Sequence, residues 1–80
     1  MADIEHRVKT IVSEQLEMRV DQIYNEASFM QDLGADSLDL VELVLSFETD
    51  FHITIPDHDT SSIVTVQSAI DYVREKRMRA

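Results

Sequence analysis

The stretch Asp36-Ser37-Leu38-Asp39-Leu40-Val41-Glu42-Leu43-Val44-Leu45-Ser46-Phe47-Glu48-Thr49-Asp50-Phe51, entered from Gly34-Ala35, carries the clearest periodicity of the chain. Its apolar positions recur at helical spacing and predict a helix over 37–51. Asp36 stands where a cap is wanted, since its carboxylate can accept from N–H groups of the first turn. Asp39 adds a second negative charge near the positive end of the helix dipole. As a capping box the match is imperfect, because aspartate replaces both usual residue types. At about 100° per residue, Leu40, Leu43, Val44, Phe47 and Phe51 form one stripe, and Leu38, Val41 and Leu45 form a second on nearly the opposite side. Only one stripe can face the core of so small a bundle. The first is longer and holds both phenylalanines, so it is assigned inward. The second is then at least partly exposed, bordered by Asp39, Glu42 and Glu48. An apolar strip edged by one sign of charge suits docking. A helix buried on both sides, or scattered surface leucines, would produce the same pattern.

Upstream, Ile4, Val8, Ile11, Val12 and Leu16 share helical spacing, and Asp3 is placed to cap them, predicting a helix over about 3–17. Residues 18–35 have weak periodicity. Ile23, Phe29 and Leu33 look like anchors that pin a long loop to the core, and Gly34 ends it. A loop of that length in so short a chain tends to be functional. Downstream, Pro56 closes Ile53-Thr54-Ile55, and a short turn or single-turn helix is expected over 57–62. Thr65 caps a last helix carrying Val66, Ala69, Ile70 and Val73, which ends in Arg74, Lys76, Arg77 and Arg79, a favourable sign of charge at a helix C-terminus. One Gly, one Pro and few aromatics argue against a β sandwich. The expected fold is all-α: a small bundle of three longer helices and one short helix, with a long loop between helices one and two, forming one domain over residues 1–80.

Eighty residues lie near the lower limit at which one apolar core holds a fold without staples, and the chain has no Cys to form one. The net charge is −9, and its distribution says more than its size: between Val20 and Val73 there are eleven acids and no Lys or Arg. Such a field repels phosphate backbones and anionic lipid, so neither nucleic acid binding nor membrane insertion is expected. A partner with a basic patch is the natural complement. Solubility alone would explain the sign of the charge, but not the basic-free middle. Met1-Ala2-Asp3-Ile4-Glu5 has neither the basic start nor the apolar run of a signal peptide, and no stretch approaches a membrane span. A cytoplasmic location is expected, with an organelle after removal of a transit peptide left open. His6, His52 and His58 put no pair on one helix turn, and Asp32-Leu33-Gly34-Ala35-Asp36 lacks the rhythm of a calcium loop, so no metal site is expected.

Ser37 follows the cap directly. Serines near helix starts are usually capping or turn residues. Gly34-Ala35-Asp36-Ser37-Leu38 is not the G-x-S-x-G elbow of a hydrolase, and no His lies nearby in sequence to act as its base. Spacing alone leaves the role of Ser37 open. The run from Phe29 through Asp32-Leu33-Gly34-Ala35-Asp36-Ser37-Leu38-Asp39 to Val41-Glu42-Leu43-Val44, however, closely resembles the acyl carrier proteins of fatty-acid synthesis. The similarity continues through Ile55-Pro56-Asp57 and Thr65-Val66-Gln67-Ser68-Ala69-Ile70-Asp71-Tyr72-Val73, covering nearly the whole chain at the right length and charge.

The resemblance implies a carrier and not an enzyme. Ser37 would accept 4'-phosphopantetheine from coenzyme A, transferred with Mg²⁺ by a separate phosphopantetheinyl transferase, the holo-acyl-carrier-protein synthase. Acyl groups would then ride as thioesters between enzymes. Elementary chemistry agrees: a helix start offers free N–H groups beside a phosphodiester, and a chain without Cys needs its thiol supplied. The resemblance further assigns partner contact to Asp36, Leu38, Asp39, Val41, Glu42, Leu45 and Glu48, the second stripe and its acidic border, facing basic docking patches on fatty-acid synthesis enzymes. Electrostatics of that kind speed encounter more than they hold partners. It also implies burial of the acyl chain among the helices, with Leu43, Val44, Phe47, Ile55, Ile63 and Ala69 as pocket residues. Phe47, larger than the aliphatic residue expected there, suggests a narrowed cavity for short or medium chains. The chain departs from the family pattern at Leu40, Phe47, Thr49, His52, His58, Ser61, Ser62 and the basic tail. These departures keep two alternatives open beside a monomeric fatty-acid carrier: a specialised carrier for polyketide, modified-lipid or peptide assembly, and an acyl-carrier-like structural subunit of a larger complex.

Overall fold

A computed structural model describes residues 3–79; Met1, Ala2, Ala80 and the Arg79 side chain lie outside the described residues. Three longer helices, α1 (Ile4–Leu16), α2 (Ser37–Phe51) and α3 (Val66–Arg79), are joined by two 3-10 segments, Val20–Gln22 and Asp57–Ser62. No strand occurs among the described residues beyond one isolated antiparallel bridge, Ser28 with Thr65. The expected all-α bundle is what forms. Only the 3-10 turn Val20–Gln22 lacks a counterpart in the sequence reading, since three residues are too few to show a period.

Each helix buries the stripe that its spacing marks. Val8, Ile11 and Val12 from α1, Leu43, Phe47 and Phe51 from α2, and Val66, Ala69, Ile70 and Val73 from α3 make the core. The long loop joins it through Ile23, Ala27, Phe29 and Ala35, with Leu33 packed at its edge. Burial of Phe29 and the other anchors does not by itself direct the loop; hydrogen bonds do. The Phe29 N–H donates to the Val64 carbonyl at 3.0 Å, while the Val66 and Gln67 N–H groups donate to the Ala27 and Asn25 carbonyls at 3.0 and 2.8 Å. The loop therefore satisfies the N–H groups that the start of α3 would otherwise leave without partners.

Helix ends are closed locally and across the bundle. Asp3 caps α1 by accepting from the His6 N–H at 2.7 Å. Both α1 and α2 end on a left-handed residue that is not glycine, Glu17 (φ 54) and His52 (φ 56). The Arg77 guanidinium donates to the Phe51 carbonyl at 3.1 Å, and Arg7 pairs with Asp50, so α3 and α1 each grip the end of α2.

The 3-10 helix Asp57–Ser62 is fastened to α3 by the Tyr72 hydroxyl, which donates to Asp59 Oδ2 at 2.7 Å. Burial, with the Asp59 hydrogen bond and charge behind it, pushes the Tyr72 phenol up to about 12. The folded state thus holds this proton more tightly than the unfolded chain. Its contribution to stability is complete below the ordinary phenol value near 10 and is lost as pH rises toward 12. Melting temperature is expected to fall across that window. Tyr72→Phe should lower stability by about 1 kcal/mol at neutral pH and flatten the alkaline decline; melts of both proteins from neutral pH up through the two phenol values check this.

Candidate functional site

The start of α2 is built in four residues. Gly34 turns the chain at φ +74, where a Cβ would meet no atom within 4 Å, so backbone conformation alone selects glycine. Ala35 is buried and its N–H donates to the Phe29 carbonyl at 2.8 Å, anchoring the loop. Asp36 then caps the helix. Its Oδ1 accepts from the Asp39 N–H at 2.9 Å, and Asp39 Oδ2 accepts from the Asp36 N–H at 3.2 Å. The reciprocal box that the residue types made doubtful is therefore complete. Aspartate at its third helical position reaches back as glutamate would, over the longer of the two distances.

These bonds leave the site open where it matters. The Leu40 N–H donates to the Asp36 carbonyl at 3.0 Å and the Asp39 N–H to its side chain. The N–H groups of Ser37 and Leu38 have no acceptor among the described residues, in contrast to the start of α3, where loop carbonyls and Thr65 Oγ1 take the corresponding donors. Ser37 is exposed, and its hydroxyl makes no hydrogen bond to a described residue. The other exposed serines differ: Ser61 and Ser62 each donate back to a carbonyl of their own 3-10 helix.

The two stripes of α2 separate as periodicity divides them. Leu43 and Phe47 are buried, whereas Leu38, Val41 and Leu45 are 65%, 55% and 56% exposed, which removes the reading of a helix buried on both sides. The acidic border is less uniform than its sequence suggests. Asp36 and Asp39 are occupied by the cap. Glu42 is exposed and accepts from the Gln15 amide at 2.7 Å. Glu48 is half-buried, and its Oε2 accepts from the Ile55 N–H at 2.8 Å. It is thus a structural tether as well as a neighbour of the stripe, a role that needs the chain after α2 to fold back and that no spacing reveals. None of the four carboxylates pairs with a cation among the described residues; Arg7 pairs with Asp50, Lys9 with Glu5 and Arg19 with Asp21, and the His58 ring lies 3.4 Å from Asp59.

Ser37 lies on the rim of a cavity of about 490 Å³ between α2, the loop and the 3-10 helix Asp57–Ser62. Five of the six pocket residues read from the sequence line it: Leu43, Val44, Phe47, Ile55 and Ile63. The sixth does not. Ala69 is fully buried in the core face of α3 with Val66, Ile70 and Val73, and contributes no lining. Its apolar periodicity marked burial and could not tell a closed core from a hollow one. Phe29, Leu40, Thr60 and Ser61 line the cavity without having been expected there. Phe29 and Leu40 carried an apolar signal, but the two hydroxyl residues reach the cavity only because the 3-10 helix closes over α2. No helix of the described residues is long and apolar enough to cross a membrane, and they hold no group of three His, Cys, Asp or Glu that could bind a metal ion.

The family model of the phosphopantetheine attachment site matches residues 6–73. The chain belongs to this phosphopantetheine attachment-site family. It is therefore a carrier domain whose prosthetic group is 4'-phosphopantetheine, of the acyl-carrier type. Phosphopantetheine carrier domains typically do no catalysis themselves. They are loaded by a phosphopantetheinyl transferase and present cargo to other enzymes. The matched span takes in all of α2, the cavity and most of α1 and α3.

Proposed function

We propose that Ser37 bears the phosphopantetheine, and that the protein carries acyl thioesters between the enzymes of fatty-acid synthesis as a monomeric, single-domain cytoplasmic carrier. One observation supports this above the rest: an exposed hydroxyl without a partner stands at the start of a 15-residue helix and on the rim of an apolar cavity. The residues fit the group. The free N–H groups of Ser37 and Leu38 lie where a phosphodiester on Oγ would sit, at the positive end of the helix dipole. When bound, the group supplies the thiol that a chain without Cys lacks. The cavity offers the acyl chain apolar walls from Leu40, Leu43, Val44 and Phe47, and so keeps it from water. Asp36, Leu38, Asp39, Val41, Glu42, Leu45 and Glu48 form the surface offered to enzymes with basic patches, including the transferase.

Incubation with coenzyme A, Mg²⁺ and a phosphopantetheinyl transferase tests the assignment by intact mass. One group per chain, mapped to the peptide containing Ser37, is expected; no addition, or addition elsewhere, overturns it. Glu42→Lys tests the surface, because the one hydrogen bond of the Glu42 carboxylate to a described residue is an exposed one, from Gln15. The loading rate is expected to fall about three- to ten-fold at low salt, with the deficit shrinking as salt is raised, while the melt stays unchanged. An unchanged rate removes Glu42 from the docking surface.

A second reading, a carrier of specialised cargo, is favoured by one observation. Three departures from the family pattern, Leu40, Phe47 and Ser61, all line the cavity. Reconstitution with fatty-acid synthesis enzymes separates the two: elongation of the loaded chain supports the first, and loading without elongation supports the second.

A further inference from the structure

Glu48 does two things that are hard to reconcile with a simple surface charge. It lies three and seven residues beyond Leu45 and Val41, so it continues the exposed stripe of α2. Yet it is half-buried, lines the cavity, and holds the chain that leaves α2. Its carbonyl accepts from the Ile53 N–H at 3.2 Å and its carboxylate from the Ile55 N–H at 2.8 Å. Ile55 is itself buried and forms part of the cavity wall. The next residue, Pro56, has no N–H to offer, so the Ile55 bond is the last backbone donor fastening this segment before the 3-10 helix Asp57–Ser62 begins. Beyond it, that helix is held to the bundle through Tyr72 and Asp59.

We propose that Glu48 is a latch: its carboxylate closes the Ile55 wall of the cavity in the free protein, and an arginine of a docked enzyme, by taking both carboxylate oxygens, releases that wall. The inference rests on the reading of the outer face of α2 as the docking surface. A guanidinium offers two parallel charged donors to a carboxylate, whereas the Ile55 amide offers one neutral donor to one oxygen. No cation of this chain pairs with Glu48 among the described residues, so its charge is available to a cation from outside. Once the carboxylate turns outward, the Ile55 N–H loses its acceptor. A buried amide without an acceptor is unfavourable, so the segment moves toward water and the cavity opens on the 3-10 side. Docking and exposure of cargo are thereby linked through one side chain, and neither event requires α2 itself to move.

Amide hydrogen exchange of the protein, free and saturated with phosphopantetheinyl transferase, tests the latch, with the chemical shifts of Leu38, Val41 and Glu42 reporting docking separately. A bound partner ordinarily slows exchange by covering amides. The Ile55 amide is expected to do the opposite, exchanging roughly ten-fold faster or more, the size expected when one hydrogen bond to a charged acceptor is lost. Glu48→Gln keeps an oxygen for Ile55 but offers no charge to a guanidinium. Because Glu48 belongs to the docking surface, the variant is expected to bind more weakly; brought to saturation at a higher transferase concentration, it should show no acceleration. Docking at the stripe with Ile55 exchange unchanged or slowed overturns the latch and leaves the docking surface standing, as does equal acceleration in Glu48→Gln. Saturation without shifts at the stripe overturns the docking surface, and the latch with it.

Discussion

Ser37→Ala is expected to abolish phosphopantetheine loading outright while leaving the fold within about 0.5 kcal/mol of the parent. The two halves of this result have separate causes. Loading fails because the acceptor oxygen is gone, and no neighbour replaces it: Ser61 and Ser62, the other exposed serines, donate to carbonyls of a 3-10 helix and lie at no long helix start. Stability survives because the Ser37 hydroxyl makes no hydrogen bond to a described residue, the Asp36–Asp39 box closes without it, and alanine is the better helix former. Intact mass and a urea melt on the same sample read both. Ser37→Thr is the informative companion, since it keeps the oxygen and adds a methyl at the same point; reduced but nonzero loading would show that presentation matters as well as chemistry. Full loading of Ser37→Ala would move the attachment point off Ser37.

Phe47→Ala is expected to cost about 3–5 kcal/mol, the range for deleting a buried aromatic ring. A chain of this size has a total of only about 4–12 kcal/mol to lose, from about 0.05–0.15 kcal/mol per residue. The variant should therefore lose a large share of its stability and melt at a much lower temperature than the parent. Phe47 has no exposed surface, packs its ring centroid 6.5 Å from that of Phe51, and also forms part of the cavity wall. It belongs both to the core and to the cavity wall. Phe47→Leu separates those roles: a loss of about 1–2 kcal/mol without cargo is expected, with more room for an acyl chain. Thermal melts of a loaded series should show stabilisation of the parent reaching a plateau at short or medium chains, and the leucine variant continuing to gain with longer ones. A parent whose melting temperature rises steadily through the long chains would refute the narrowed cavity.

How far the site could be read in advance depended on the kind of residue. Positions that report on their own helix were legible: the exposed stripe Leu38, Val41 and Leu45 followed from spacing against a larger inward stripe, and the Asp36 cap from its place before an apolar run. Ser37 was not legible by these means, because a serine after a cap is ordinary; only likeness to known carriers singled it out. Glu48 was legible as a border acid and nothing more. Its bond to Ile55 joins residues seven apart across the end of a helix, and periodicity says nothing about such a return. Ala69 shows the converse error. An apolar residue on a core stripe need not line the space that the core encloses.

By itself, then, the order of residues determined the three helices, their caps, the inward and outward faces of α2 and the acidic field around them. All of these follow from periods of three to four residues and from charges near helix ends, interactions that act within a turn or two. Only the tertiary structure decided that the loop supplies the N–H partners of α3 while the start of α2 keeps two donors free, that the 3-10 helix closes over α2 to leave a cavity, and that Glu48 ties the two together. Those features arise where segments distant along the chain meet, and the geometry of such meetings is set by how the whole set of apolar faces packs at once.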